Sequence, residues 1–166
     1  ILDLGVEVET NHPIDRQGLL DLAQNQDAVL GATGQQEQRA LQLGMNGSKA
    51  VVQGIDFLEH VHRDDVRVDG ERVIVIGGGN TAMDAARSAL RLGAKSVKVV
   101  YRRSRQEMPA IREEIDETVE EGVCIELLTQ PVALHETRSD GARRRLHLVC
   151  RRMELGEPDE SGRRSP

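Results

Sequence analysis

A run of β-branched residues that ends in three consecutive glycines constrains this chain more than any other feature of its sequence. Residues 72–76 read Arg-Val-Ile-Val-Ile, a run typical of a strand covered on both faces. Three glycines follow at 77–79, and residues 80–92 then have the spacing and the small inner side chains of a packed helix. The order strand, glycine turn, helix predicts the start of a βαβ unit.

If the glycine loop binds a pyrophosphate, each of its residues has a separate structural role. Gly77 permits a tight turn, Gly79 lets the backbone approach the phosphates, and Ala82 keeps helix and strand close. The amino end of the helix presents unpaired N–H groups and a partial positive charge to the anion. A plain turn would explain a bare glycine triplet, but the buried strand and the small-residue helix favour a dinucleotide-binding loop.

The end of the second predicted strand indicates which dinucleotide is bound. An NAD-binding unit normally offers a carboxylate to the ribose about 20 residues after the glycines. Here residues 96–101 are followed by Arg102 and Arg103, with Arg105 close behind. Guanidinium groups bind a 2′-phosphate, which a carboxylate would repel. The sequence therefore favours NADPH as the ligand. The alternative is that the arginines form a surface basic cluster that neutralises an acidic helix.

The rest of the pattern completes an α/β fold. Residues 109–121 predict a helix with an acidic, solvated outer face, and residues 123–128 predict a third strand. Residues 132–137 and 145–153 predict a hairpin. Strands that alternate with helices require right-handed crossovers and a parallel sheet. We expect a Rossmann-like parallel sheet with helices on both faces plus a C-terminal β-hairpin.

The stretch before residue 70 predicts a separate piece of structure. Residues 5–10 alternate like a short strand, and residues 16–24 have helical spacing. Residues 27–34 predict a buried strand that runs into a glycine turn. Residues 52–62 predict another helix, and a charged connector follows it. A domain boundary near residue 70 is therefore expected.

Composition argues against several classes of function. The 166 residues are 38% hydrophobic and 30% charged, and no apolar run approaches the ~18 residues of a membrane span. A net charge of −6 argues against a nucleic-acid partner. Cys124 and Cys150 belong to no Cys-x-x-Cys, so we expect buried thiols in a reducing cytoplasm. His60 and His62 point to different faces of a predicted helix, so no metal site is expected, and no catalytic residue is assigned.

At these residues the chain resembles a known family. VIVIGGGNTAMDAAR at 73–87, VVYRRSRQEMPA at 99–110 and EEGV at 120–123 are similar to the NADPH domain of a family of FAD-dependent oxidoreductases. That family is the pyridine-nucleotide oxidoreductases of the glutamate synthase small (beta) subunit type. RRMELGEPDESGRR at 151–164 resembles the stretch before the family's chain returns to its flavin domain, and DAVLGATG at 27–34 resembles its second FAD-domain signature.

The resemblance implies a partial segment of a longer protein. Residues 1–69 would be the C-terminal part of the first FAD-domain half with its connector, and residues 70–166 the NADPH-binding domain. NADPH would pass hydride to an FAD held by the flavin domain of the same full-length chain, and electrons would continue to an iron-sulfur or large catalytic subunit. Carried over to this sequence, the expected cofactor-binding residues are Gly77, Gly78, Gly79, Asn80, Thr81 and Ala82 in the glycine loop, Arg102 and Arg103 at the 2′-phosphate, and Thr33 and Gly34 in the FAD-domain signature.

Departures from the family pattern leave alternatives open. The family's first flavin-binding glycine motif and its N-terminal cysteine clusters are missing, so this chain alone should hold neither FAD nor an iron-sulfur cluster. LGMNGS at 43–48 stands where relatives carry a Pro-Gly-Glu-Asp-like loop, which leaves room for a paralogue serving another acceptor in sulfur or ferredoxin metabolism. Thioredoxin reductases place a Cys-x-x-Cys before the glycine loop, but residues 47–69 contain no cysteine. A regulatory module that binds the nucleotide without turnover is the remaining alternative.

Overall fold

The fold is given by a computed structural model that describes residues 4–33, 43, 51–137, 145–158, 160, 162 and 164–166. The chain divides into two compact units, Ile1–Glu37 and Gln38–Pro166. Each unit has its own secondary structure. We take them in turn because the glycine loop and the arginines belong to the second.

A single helix, α1 (Arg16–Asn25), organises the described part of the first unit. Asp15 begins the helix, since its side chain accepts the N–H of Gly18 at 2.8 Å. No residue of α1 is buried, and Leu19 is 51% exposed. The helix expected at residues 16–24 is confirmed, but its apolar side chains remain largely in solvent.

The two strands expected in the first unit do not form. Residues 5–10 and 27–33 lie outside helices and strands and are exposed, and Leu30 is 91% exposed. A strand needs a neighbouring strand to pair its backbone groups, and within the described residues none pairs with these segments. Thr33 is exposed as well, whereas Gly34 lies outside the described residues.

A parallel sheet of three strands forms the centre of the second unit. Its strands are β1 (Arg72–Ile76), β2 (Ser96–Val100) and β3 (Cys124–Glu126), hydrogen-bonded in that order. The helix at Asn80–Arg91 connects the first two strands, and the helix at Arg112–Glu120 connects the last two. The predicted βαβαβ order and the Rossmann-like parallel sheet are confirmed.

One more helix, α2 (Gly54–His62), precedes this sheet. It packs against the helix at Asn80–Arg91, which we call α3, and its Phe57 lies against the core. The boundary expected near residue 70 therefore falls inside the second compact unit, and as a division between FAD and NADPH parts it stays a prediction. No helix in the described ranges is long and apolar enough to cross a membrane.

The core lies on one face of the sheet. Val97 and Val99 of β2 are 3% and 0% exposed, and they pack with Met83 of α3 and with Ile115 of the helix at Arg112–Glu120, which we call α4. Both crossovers step in the same direction across the sheet, so right-handed connections place α3 and α4 on the same face. On the opposite face Ile74 is 48% exposed. The helices expected on both faces are thus found on one, and β1 is not covered on both sides by the described residues.

A β-hairpin follows the sheet. It consists of β4 (Thr129–Thr137) and β5 (Arg145–Arg152), paired antiparallel with an irregularity between Pro131 and Ala133. The predicted hairpin is confirmed, although β4 begins earlier than the expected residue 132. It does so because Thr129 and Gln130 already pair with Arg152 and Arg151 of β5.

Both cysteines are exposed, contrary to the expectation of buried thiols. Cys124 pairs in register with Lys98, which lies with Ile74 on the face of the sheet away from α3 and α4. Cys150 lies on β5 of the hairpin. The expectation was wrong for Cys124 because the helices cover only the alternate strand positions.

An ion-pair network joins α3 to α4. Arg87, whose side chain is 16% exposed, binds Glu114, Glu117 and Glu121 at N–O distances of 2.7, 2.8 and 2.7 Å. Arg91 binds Glu121 as well. The acidic face of α4 is therefore not simply solvated, because three of its carboxylates surround one arginine of the neighbouring helix.

Replacing Glu121 by Gln should lower the urea midpoint of unfolding at pH 7. Hydrogen bonds from Arg91 and Arg87 hold the pKa of the Glu121 carboxyl below its ordinary value of 4.5. Such a group stabilises the fold above its unfolded pKa, and this contribution is lost as the pH falls through the lowered value. The gap between wild type and variant should therefore narrow as the pH falls below 4.5 and close once the pH is below the lowered pKa of Glu121.

The matched control is Glu120→Gln, because Glu120 is exposed on the same turn and makes no ion pair among the described residues. Its midpoint should stay near that of the wild type from pH 7 to acid. Equal losses in the two variants would show that the network adds nothing specific.

Candidate functional site

The glycine loop lies between the end of β1 and the start of α3. Gly77 has a φ of 142°, a conformation that residues with side chains rarely adopt. A Cβ at Gly77 would lie 3.4 Å from the Cβ of Ala82. The tight turn at Gly77 and the close approach of helix and strand at Ala82 are therefore both present.

The first N–H groups of α3 are not capped by a side chain. Gly79 is the N-cap residue, in an extended conformation, and no side-chain hydrogen bond caps the helix. A Cβ at Gly79 would meet only the Cγ of Pro109, at 3.9 Å, so the backbone here has open space beside it. The first turn of a helix cannot pair its own N–H groups. Those of Asn80 and Thr81 are consequently placed to bind an anion.

Gly78 is required by a neighbouring aromatic ring. A Cβ at Gly78 would lie 2.7 Å from both Cδ2 and Cε2 of Tyr101. The ring is 8% exposed, and its hydroxyl donates to the carbonyl of Glu107 at 2.7 Å. Sequence reasoning missed this role for Gly78, because nothing in the local pattern shows that Tyr101 packs over the loop.

Residues 101–111, which we call the arginine loop, are hydrogen-bonded to the glycine loop. The N–H of Ala110 donates to the carbonyl of Gly78 at 3.0 Å. The N–H of Ile111 donates to the side-chain Oδ1 of Asn80 at 2.9 Å. The segment that carries the arginines is thus fastened to the candidate phosphate-binding loop.

These contacts also explain where α4 begins. We expected Pro109 in the first turn, but the helix starts at Arg112 with Ile111 as its N-cap residue. A short 3₁₀ turn at Arg105–Glu107 precedes it. Ile111 is not helical, with φ −59° and ψ 137°, and the N–H groups of Ala110 and Ile111 bond the glycine loop instead of entering a helix.

The two arginines expected at the 2′-phosphate differ in exposure. Arg102 is exposed and makes no side-chain hydrogen bond or ion pair within the described part of the chain. Arg103 is 6% exposed, and its carbonyl accepts the N–H of Leu128 at 3.1 Å. Arg105 pairs with Asp116 of α4. Neutralisation of the acidic helix therefore accounts for Arg105, whereas the side chain of Arg102 is exposed to solvent.

The histidines have local partners. His60 Nδ1 lies 2.8 Å from a carboxylate oxygen of Asp65, and His62 Nδ1 lies 2.9 Å from the carbonyl of Leu58. Across the described ranges, no group of three or more His, Cys, Asp or Glu side chains could hold a metal ion.

A parallel βαβαβ sheet with a glycine loop at the first strand–helix turn defines the class of protein: an α/β protein with a Rossmann-like unit. The family model of the pyridine nucleotide-disulphide oxidoreductases matches residues 8–150. The chain belongs to this family.

Several curated proteins are similar to the chain over nearly its whole length. It is 40% identical to the NADP(+)-dependent formate dehydrogenase subunit beta of Moorella thermoacetica, over 98% of this chain and 23% of that protein. It is 38% identical to a putative glutamate synthase (NADPH) small chain of Cereibacter sphaeroides, over 98% of this chain and 40% of that protein. It is 40% identical to the NADPH-Fe(3+) oxidoreductase subunit beta of Geobacter sulfurreducens, over 100% of this chain and 25% of that protein. The chain spans between 23% and 40% of the length of these relatives.

Replacing Gly78 by Ala should destabilise the fold. The new methyl group would lie 2.7 Å from a buried ring that cannot swing away without breaking its hydrogen bond to Glu107. We expect a loss of about 1–3 kcal/mol in the free energy of unfolding, the usual cost of overpacking, measured by urea denaturation.

Gly79→Ala serves as the control, because its methyl group would make only an ordinary contact with Pro109. It should cost no more than about 1 kcal/mol, as expected for a poorer N-cap residue. A larger loss from Gly79→Ala than from Gly78→Ala would contradict the role given to the ring.

Proposed function

We propose that this chain is the NADPH-binding part of a flavin-dependent oxidoreductase of the glutamate synthase small-chain type. The observation that carries the proposal is that the arginine loop is hydrogen-bonded to the glycine loop and carries Arg102, which is exposed and has no side-chain partner among the described residues. Both lie where neighbouring parallel strands end, which is the edge where nucleotides bind in α/β folds. The names of the relatives, which specify NADP(+) or NADPH, support the same cofactor.

The residues present fit a pyrophosphate. Gly79 has no side chain and open space beside it, so a phosphate can approach the backbone. The N–H groups of Asn80 and Thr81, with the partial positive charge of the helix, would bind the phosphate oxygens. Gly77 and Ala82 shape the turn, and the absence of a side chain at Gly78 leaves space for the ring of Tyr101. The proposed pyrophosphate site is thus mostly backbone.

The proposed 2′-phosphate site depends on arginine. Arg102 is exposed and has no protein partner among the described residues, so its guanidinium group can turn to an anion. Arg103 is 6% exposed, so we assign it the smaller share of the binding. A guanidinium group can bind two phosphate oxygens at once, which favours NADPH over NADH.

A flavin is the proposed acceptor of the hydride that NADPH supplies when bound. We place FAD in the flavin domain of the same full-length chain, with Thr33 and Gly34 as part of its site, and an iron-sulfur or large catalytic subunit after it in the cytoplasm. The resemblance of residues 27–34 to an FAD-domain signature supports this. So do the exposed apolar side chains of the first unit, such as Leu30 at 91%, which a neighbouring domain would cover.

The final electron acceptor has a second candidate. The identity to a formate dehydrogenase beta subunit and to an NADPH-Fe(3+) oxidoreductase beta subunit is 40% in each case, against 38% for the putative glutamate synthase small chain. A paralogue with another acceptor, in sulfur or ferredoxin metabolism, is therefore equally supported. Oxidation of NADPH by the full-length protein, with each acceptor supplied in turn, would decide. The absence of NADPH oxidation with any acceptor would favour a nucleotide-sensing module.

Replacing Arg102 by Ser should weaken NADPH binding by roughly tenfold to a hundredfold and leave NADH binding nearly unchanged. The 2′-phosphate is the only group that distinguishes the two, and one charged hydrogen bond contributes about 1.5–3 kcal/mol. Titration of both cofactors followed by fluorescence would measure the ratio. Arg105→Ser is the matched control, because Arg105 is already paired with Asp116. Equal loss for both cofactors would mean that Arg102 supports the fold or the pyrophosphate site instead.

Replacing Gly79 by Ala should weaken the binding of NADPH and of NADH by the same factor. The added methyl group would lie on the side from which the pyrophosphate approaches, and that group is common to NADPH and NADH. Thermal shifts at saturating cofactor would report the loss, since a ligand stabilises only the state that binds it. Unchanged shifts for both cofactors would remove Gly79 from the proposed site.

A further inference from the structure

The side chain of Asn80 bonds the protein at the point where a ligand contact was expected. Asn80 is the first residue of α3, and the resemblance placed it on the pyrophosphate. Its Oδ1 accepts the backbone N–H of Ile111, 31 residues along the chain, at 2.9 Å. The carbonyl oxygen of this side chain thus joins two segments of the proposed site.

This bond is one of several that fix both ends of the arginine loop. At its start, the ring of Tyr101 lies against Gly78, and its hydroxyl bonds the carbonyl of Glu107. At its end, Ala110 bonds the carbonyl of Gly78, and Ile111 bonds Asn80. Arg102 stands between these two attachments, so its backbone cannot shift freely relative to the glycine loop.

A dinucleotide phosphate requires this kind of alignment. Its pyrophosphate and its 2′-phosphate belong to the same molecule, so the two anion-binding parts of the protein must be held at a matching separation. Misplacement by about 1 Å is enough to weaken a charged contact severely. NADH has no 2′-phosphate and does not depend on that separation.

We propose that Asn80 is a positioning residue for cofactor selectivity: by holding Ile111, it fixes the arginine loop so that Arg102 meets the 2′-phosphate of a bound NADPH. The inference rests on the proposed function, because it requires that the arginine loop binds the 2′-phosphate of NADPH. It assigns Asn80 an effect on the preference for NADPH over NADH that a direct pyrophosphate contact would not have.

The chain should still fold when the hydrogen bond between Asn80 and Ile111 is lost. It is an exposed, single hydrogen bond, and the inner part of the loop keeps its own contacts, from Ser104 to Glu107 and from Arg105 to Asp116. Alanine is also a good helix former at the start of α3.

The test compares Asn80→Ala with Asn80→Asp by titrating NADPH and NADH into the 166-residue chain. Asn80→Ala removes the acceptor, and the NADPH/NADH affinity ratio should fall by roughly threefold to tenfold. Asn80→Asp keeps an acceptor oxygen at the same position. Its added charge should weaken both cofactors alike, because both carry the pyrophosphate, and the ratio should remain that of the wild type.

A second pair of variants removes the donor instead of the acceptor. Ile111 has a φ of −59° and is 56% exposed, so proline fits its backbone and deletes the N–H. Ile111→Pro should lower the NADPH/NADH affinity ratio as Asn80→Ala does. Ile111→Ala keeps the N–H, so it should leave that ratio unchanged. This pair decides the question if Asn80→Ala fails to fold.

A double-mutant cycle with Arg102→Ser shows whether Asn80 acts through Arg102. In the Arg102→Ser background, Asn80→Ala should leave the ratio unchanged. An unaltered ratio in Asn80→Ala, or an equal loss for both cofactors, would overturn the inference. A wild-type chain that binds both cofactors equally would instead overturn the proposed function, so the two failures are distinguishable.

Discussion

The close approach of α3 to the end of β1 is the contact on which the rest of the site depends. At Gly77 the backbone turns with a φ of 142°, and Ala82 packs 3.4 Å from where a Cβ would stand. This approach aims the amino end of α3 at the edge of the sheet where β2 also ends. A residue with a side chain at Gly77 would strain this turn, because such residues rarely adopt this φ, and the direction of the uncapped N–H groups depends on the turn.

A second constraint comes from the order of the crossovers. Because both connections step the same way across the sheet, α3 and α4 lie side by side, and Arg87 can bind three carboxylates of α4 at once. The same geometry leaves the other face of the sheet to side chains such as Ile74 and Lys98. The helices thus position the arginine loop from one side only, and its attachment to Gly78 and Asn80 completes the support.

Much of this arrangement could be predicted from the sequence because its causes are local. The β-branched run at 72–76, the glycine triplet and the small residues of α3 specify a strand, a turn and a packed helix by their own geometry. The arginines after β2 likewise led to the prediction of an anion-binding site at the end of that strand. Predictions failed where a partner segment was needed: residues 27–33 have the composition of a strand, yet no strand pairs with them among the described residues.

The sequence by itself determined the βαβ order, the place of the glycine loop and the presence of guanidinium groups beside it, because strand, turn and helix propensities act over a few residues. Only the tertiary structure decided which arginine reaches solvent, why Gly78 must lack a side chain, and that Asn80 holds Ile111. Those facts depend on contacts between segments that are distant in the chain. Such contacts are set by how α3, β2 and the arginine loop pack together, and local propensity contains no information about that packing.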